Sequence, residues 1–225
     1  MANLEPLIQS IPVAPLKLAS LEGCRTLADQ VNNYLVSFRH ESPTNVGQAD
    51  SLQGYCADSY LLECECPRFG SGEGKGVLKE SVRGCDLFIM VDVTNYSLTY
   101  RVNGYENHMS PDNHYQDLKR IISAADGKAR RINVIMPFLY EGRQHKRSKR
   151  ESLDCALMLQ ELVDMGVSNI LTFDAHDPRV SNSIPLHGFD SFMPTYQFLK
   201  ALVNSVPDFV IDNDHLMIIS PDEGA

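Results

Sequence analysis

Apolar positions recur at two periods along this chain, and the alternation between them outlines a fold. Leu27, Ala28, Val31, Tyr34, Leu35 and Phe38 fall at helical spacing, so residues 21–38 are predicted to form an amphipathic helix. From residue 86 onward the pattern becomes regular. Continuous apolar runs of strand length cover 86–93, 132–138, 168–173 and 215–220. Helical periodicity fills the intervals at 112–125, 151–165 and 196–206, and Gly166 provides a stop after the second of these. Runs without polar alternation indicate strands buried on both faces, and their alternation with helices indicates βαβ units. The expected fold is α/β, with a parallel sheet covered on both sides.

The pattern lapses over 39–68, where Pro43, Gly47, Gly54 and Pro67 interrupt a polar stretch. This stretch is read as irregular or as an insertion. FGSGEGKG at 69–76 is a glycine-rich turn, and 77–82 is a candidate strand or hairpin arm. The turn is not a P-loop, because it lacks the Gly-Lys-Ser/Thr ending and the strand-to-helix setting.

Composition narrows the class. The chain has 225 residues, 43% apolar and 22% charged, which suits one large domain, or one and a half ordinary ones, with a real core. A formal charge of −9 argues against non-specific binding to nucleic acid. No apolar run approaches the roughly 18 residues of a membrane span. The N-terminus lacks the basic start and apolar core of a signal peptide, so a cytoplasmic location is expected. Six cysteines form no visible disulfide framework. Cys56, Cys64 and Cys66 offer half a zinc site, but no second Cys/His pair stands at ligand spacing. Cys85 and Cys155 lie in apolar segments and read as core residues.

Candidate chemistry sits at the strand ends, where open parallel sheets bind ligands. The run 132–138 is followed by the basic stretch Tyr140–Arg150, the run 168–173 by Asp174-Ala-His-Asp177, and the run 215–220 by Pro221-Asp222-Glu223-Gly224. Each has a plainer reading: the acidic segments as turns, the basic one as a solvated loop or nucleic-acid patch. His114 reads as a first-turn surface residue. Together at neighbouring strand ends, however, the three segments suit a metal and a polyphosphate, with His and Asp as ligands and Arg and Lys neutralising phosphate oxygens.

The segments FGSGE…ESVRGCDLFIM, PFLYEGRQHKR, TFDAHDPRV, IPLHGFDSFMPTYQFLKAL and SPDEG resemble, in order and spacing, the ribose-phosphate pyrophosphokinase family. The resemblance runs from about residue 69 to 225, with a weaker match at the helix 21–38. It implies a phosphoribosyltransferase-like, Rossmann-like three-layer domain, the N-terminal of two in each subunit. It implies transfer of diphosphate from Mg-ATP to ribose 5-phosphate, giving 5-phosphoribosyl 1-diphosphate and AMP. By the same resemblance, Phe69, Ser71 and Glu73 fall where the family holds adenine, usually for a neighbouring subunit, which implies a homo-oligomer. Arg143, Gln144, Lys146 and Arg147 fall on ATP-contacting positions. His176 and Asp222 fall on positions assigned to Mg²⁺.

Some residues depart from the family pattern. Ser71 replaces an amide or carboxylate, and His145 stands where an acid is usual. Glu223 and Ala225 replace small residues of the Pro-Asp-x-Gly-Gly motif. The family's catalytic flexible loop and ribose-phosphate loop are expected beyond Ala225, so no catalytic residue is assigned within this chain. The chain is expected to be a fragment supplying the ATP and metal half-site, inactive by itself. The alternative is a non-catalytic, synthetase-associated regulatory subunit.

Overall fold

A computed structural model describes residues 13–41, 54–206, 209–212 and 214–220. The chain divides into two units, 1–192 and 193–225. The first contains one sheet of six parallel strands, in the order β10-β9-β8-β5-β1-β2. These strands are β1 (Leu16–Ser20), β2 (Leu61–Leu62), β5 (Asp86–Met90), β8 (Arg131–Ile135), β9 (Val167–Phe173) and β10 (Gly188–Phe192). Two antiparallel pairs stand outside it: β3 (Cys64–Glu65) with β4 (Val77–Leu78), and β6 (Thr99–Val102) with β7 (Tyr105–His108).

Alternate side chains of β5 separate the layers. Leu87 and Ile89 enter a core with Leu118, Ile121, Leu159 and Leu162, which come from helices α2 (Pro111–Ala125) and α3 (Asp154–Asp164). Phe88 and Met90 point the other way, onto Cys24, Ala28 and Val31 at the start of helix α1 (Arg25–Glu41). This is the three-layer α/β arrangement. Each fully buried Leu or Ile contributes about 1.5–3 kcal/mol.

Local chemistry sets the element boundaries. Ser110 caps α2, its Oγ accepting from the Asn113 N–H at 3.2 Å, and Pro111 opens the first turn. Gly166, at φ 92°, ends α3 in a conformation that favours glycine. An amide pair, buried Asn133 and half-buried Asn169, ties the sheet strands together. The Asn133 Nδ2 donates to the Leu87 carbonyl at 3.3 Å, and its Oδ1 accepts from Asn169 Nδ2 at 2.7 Å. Gly188 lies opposite Asn169, where a Cβ would come within 1.9 Å of the Asn169 Oδ1.

Three predicted helices and three predicted strands fall where periodicity placed them, within a few residues at each end. The helix predicted at 21–38 becomes a 3-10 turn, Glu22–Cys24, and then α1, which runs on to Glu41. The irregular reading of 39–68 fails at its C-terminal end. Leu61–Leu62 joins the sheet beside β1, and Tyr60, 1% exposed, is anchored to α1 by its N–H, which donates to Asn32 Oδ1 at 2.8 Å. The strand predicted at 215–220 is not formed among the described residues: 214–220 pair with no strand, and Ile218 and Ile219 are exposed. An apolar run specifies a buried strand only when a neighbour satisfies its backbone groups. The unit 193–225 otherwise contains helix α4 (Thr195–Ser205). No described helix is long and apolar enough to cross a membrane.

Candidate functional site

Beyond the carboxyl ends of β8 and β9, two of the predicted segments meet. The loop after β8 is rooted by apolar and acidic groups. Tyr140 stacks on Tyr115 with ring centres 4.6 Å apart, and its hydroxyl donates to Asp112 at 2.6 Å. Burial pushes the Tyr140 hydroxyl up, and the Asp112 bond adds to this. Glu141 turns the chain at φ 55°, its carboxyl raised by burial and by Asp154 and Asp112.

Past this root the loop is held by its own backbone. The Gln144 Nε2 donates to the Ser152 carbonyl at 2.7 Å, which closes the loop from inside. Arg143, Lys146 and Arg147 are exposed, and none of the three makes an ion pair among the described residues. A phosphate chain can therefore use these cations without first displacing a carboxylate.

The turn after β9 is shaped differently. Asp174 sits at φ 45°, in the left-handed region that Asp tolerates. Its N–H donates to Phe192, and the next N–H, of Ala175, donates to Ser191 Oγ at 2.9 Å, so both fasten the turn to β10. His176 is exposed. Asp177 accepts from the Arg179 guanidinium at 2.6 Å and from the Arg179 N–H at 2.9 Å. Those bonds hold its carboxyl well below the usual carboxylate range.

His145 joins the two segments. Its Nε2 lies 3.5 Å from Asp177 Oδ2, and its ring centre lies 5.1 Å from that of His176. The structure thus brings the Arg143–Arg147 loop and His176 together, as expected. The predicted adenine residues lie elsewhere. Phe69, Ser71 and Glu73 form a self-contained turn: Phe69 N–H donates to the Glu73 carbonyl at 2.7 Å and Ser71 Oγ to Glu73 Oε2 at 2.8 Å. Gly70 accepts from the Asn103 N–H, which places this turn against the β6–β7 hairpin. No hydrogen bond or ion pair among the described residues joins it to the basic loop. Asp222 lies outside the described residues.

Among the described residues, no three His, Cys, Asp or Glu side chains are grouped to hold a metal. Asp177 is committed to Arg179, which leaves His176 and the exposed Asp174 carboxylate as the available donors in the turn. That set does not make a metal cage. It does fit Mg²⁺ arriving with a nucleotide, because Mg²⁺ takes one or two protein ligands and fills the rest with phosphate oxygens and water. The zinc half-site is not assembled either. Cys64 is buried and its thiol points to the Ser20 carbonyl at 3.1 Å, while burial pushes the Cys66 thiol up to about 12.

Periodicity missed two features here. His114 is 2% exposed, not a surface residue, and its Nε2 lies 2.6 Å from the Asn95 carbonyl. His145 stands out in the sequence only as a departure from the family pattern, although it is the side chain that links the two loops. Neither contact has a local signature, because each joins segments distant in sequence.

Similarity to known proteins agrees with this geometry. A family profile described as the N-terminal domain of ribose phosphate pyrophosphokinase matches residues 16–166. A ribose-phosphate pyrophosphokinase of Staphylococcus epidermidis is 27% identical over 168 residues, covering 73% of this chain and 46% of that protein. One of Corynebacterium ammoniagenes is 29% identical over 167 residues, covering 73% and 41%. The chain therefore spans about half the length of the curated relatives it matches. The crystal structure of phosphoribosylpyrophosphate synthetase from Mycobacterium smegmatis shares its fold with a TM-score of 0.63 at 22% identity, over 85% of this chain and 52% of that one. The basic loop and the histidine turn thus stand on a recognised scaffold, and the chain belongs to the ribose-phosphate pyrophosphokinase family through its N-terminal domain.

Proposed function

We propose that this chain supplies the ATP and Mg²⁺ half-site of a ribose-phosphate diphosphokinase. In that reaction the 1-hydroxyl oxygen of ribose 5-phosphate attacks the β-phosphorus of ATP. The bridging bond to the α-phosphate breaks, AMP leaves and the hydroxyl proton is lost. Such displacement depends mostly on positioning and charge neutralisation. The observation that carries the reading is the meeting of the Arg143–Arg147 loop with the His176 turn, the two imidazoles 5.1 Å apart across adjacent strand ends.

Each residue has a stated part. Arg143, Lys146 and Arg147 offer cations to the phosphate oxygens. Gln144 braces the loop that carries them, through its bond to Ser152. His176 holds the metal–triphosphate directly or through water, and Asp222 is its partner by family resemblance. Held there with the nucleotide, Mg²⁺ would supply charge neutralisation to the phosphates. Phe69, half-exposed at 53%, and its turn present themselves outward, which supports a role for them in the nucleotide site of a neighbouring copy. Contacts to ribose 5-phosphate are assigned to the part of the relatives that this chain does not span.

Calorimetric titration with ATP, with and without Mg²⁺, tests the proposal. Magnesium-dependent binding is expected, and His176→Ala should weaken Mg-ATP more than free ATP. Equal losses would mean the metal is misassigned. No binding at millimolar ATP would remove the half-site and favour a non-catalytic assembly partner.

A further inference from the structure

The basic loop after β8 has few ties to the rest of the fold. The Gln144 carbonyl accepts from the Cys155 N–H at 3.4 Å, at the start of α3, and the Gln144 side chain reaches Ser152. The other polar contacts of the loop stay close in sequence: Ser148 donates to Glu151, and Ser152 to Asp154. His145 is the exception. Among the described residues, it is the one side chain of 143–152 with a polar or ring contact to the turn after β9.

The carboxylate that His145 meets is oriented in advance. Arg179 donates from its backbone N–H and from Nε to Asp177 Oδ1, each at 2.9 Å, and from a terminal nitrogen to Oδ2 at 2.6 Å. Asp177 also caps the 3-10 turn Pro178–Ser183, which fixes its backbone. Its Oδ2 faces His145 Nε2 at 3.5 Å, and both side chains are 12% exposed. A pair so far out of water is screened less by salt than a pair on the open surface.

The other ring nitrogen looks back along the loop. His145 Nδ1 lies 3.2 Å from the Arg143 carbonyl. Carboxylate and carbonyl only accept, so each ring nitrogen that bonds does so as a donor. One imidazole therefore touches the backbone of the first arginine of the loop, the ring of His176 and the carboxylate of Asp177. Arg179 completes the series from outside. Its side chain is 78% exposed, its guanidinium is occupied by Asp177, and it makes no hydrogen bond or ion pair with 143–152 among the described residues.

We propose that Arg179, Asp177 and His145 form a latch that docks the basic loop onto the turn after β9, and that His145 is a positioning residue for the cations of that loop. It acts through the Arg143 backbone, which it holds beside His176, so that a phosphate chain meets cation and imidazole in one place. With the latch open, the loop keeps its root at Tyr140 and its brace at Gln144 but loses its place at the neighbouring strand end. The positioning role rests on the nucleotide reading; the docking of the loop does not.

Amide exchange and Mg-ATP calorimetry on the 225-residue chain test the two parts separately. The Gln144 N–H, which donates to the Glu141 carbonyl at 2.9 Å, reports on the loop. The Asp174 N–H, which donates to the Phe192 carbonyl at 3.0 Å, reports on the turn. His145→Ala should speed exchange at Gln144 about threefold or more, leave Asp174 within about twofold, and weaken Mg-ATP about threefold or more. His145→Gln, whose amide nitrogen takes the place of Nε2, should bring both readouts back to within about twofold of the parent. Arg179→Gln should shift Gln144 in the same direction as His145→Ala, a response that mere packing of His145 would not give. Unchanged exchange at Gln144 in His145→Ala, no rescue by His145→Gln, or no response to Arg179→Gln would each overturn the latch. Faster exchange with unchanged Mg-ATP affinity would overturn the positioning role. Faster exchange in a chain that binds no Mg-ATP would uphold the latch and remove the nucleotide reading instead.

Discussion

The two ends of the carboxyl edge solve opposite problems. Beyond β8 and β9 the cations are exposed and held by backbone bonds, with Gln144 closing the loop and Asp177 pinned by its near neighbour Arg179. Beyond β1 and β5 the charges are buried and held by one another: Arg68, at 9% side-chain exposure, donates two bonds to Asp117, at 6%, and Arg120 reaches the same carboxylate. The first arrangement suits a large polyphosphate, which brings its own charge and metal and needs cations free to meet it. The second is pre-organised, and its groups cannot be altered singly without cost to the fold. Charge at the first end is therefore free of the packed fold and has little bearing on stability, whereas at the second it is part of the packing.

The largest expected effect breaks the coupled end. Asp117→Ala leaves Arg68 buried without its carboxylate, and loss of one partner of a buried pair costs about 3–5 kcal/mol. Urea unfolding should show this as a lower midpoint with an unchanged slope. A loss below about 1 kcal/mol would mean that water reaches Arg68 and the contrast is overstated.

The exposed end should respond the other way. Arg143→Ala should weaken Mg-ATP by about tenfold, or roughly 1.4 kcal/mol, in calorimetry. The same variant should leave unfolding within about 0.5 kcal/mol of the parent. A matching loss of stability would show that the loop is part of the packed fold.

A smaller effect is set by pH. Burial pushes the Cys24, Cys64 and Cys155 thiols up from 9.0 to about 11. A raised folded value means that the folded chain keeps protons which the unfolded chain has already released. The stabilisation is complete below pH about 9 and is lost as the pH rises toward about 11. Urea midpoints should fall across that window, and Cys64→Ala should flatten the decline. The smallest effect is chemical. Cys56 is the exposed cysteine, so brief alkylation of the native chain at pH 8 should modify it well before the buried thiols. Equal labelling of Cys64 would show that its surroundings open.

Much of this was legible in the order of residues. Strands at 86–93, 132–138 and 168–173 were visible because each is buried on both faces and so carries an unbroken apolar run. β1 (LKLAS) and β10 (GFDSF) were missed because they are short, carry few β-branched residues and occupy positions decided by neighbours. β2 was missed inside a polar stretch, because a two-residue edge strand needs only Leu62 inward. The candidate nucleotide residues were found through motif order rather than through geometry. The His145–Asp177 contact and the Arg68–Asp117–Arg120 group had no such order to reveal them.

The sequence by itself determined the layer type, the helices 112–125, 151–165 and 196–206, and which strand ends carry charge. Periodicity and composition are local properties, and they depend on which face of an element is buried. Tertiary structure alone decided that His114 is interior, that Asp117 serves two arginines, that 69–73 stands apart from the basic loop, and that 215–220 pairs with no described strand. Those outcomes depend on contacts across many residues of separation, where the partner, rather than the segment itself, sets burial and charge.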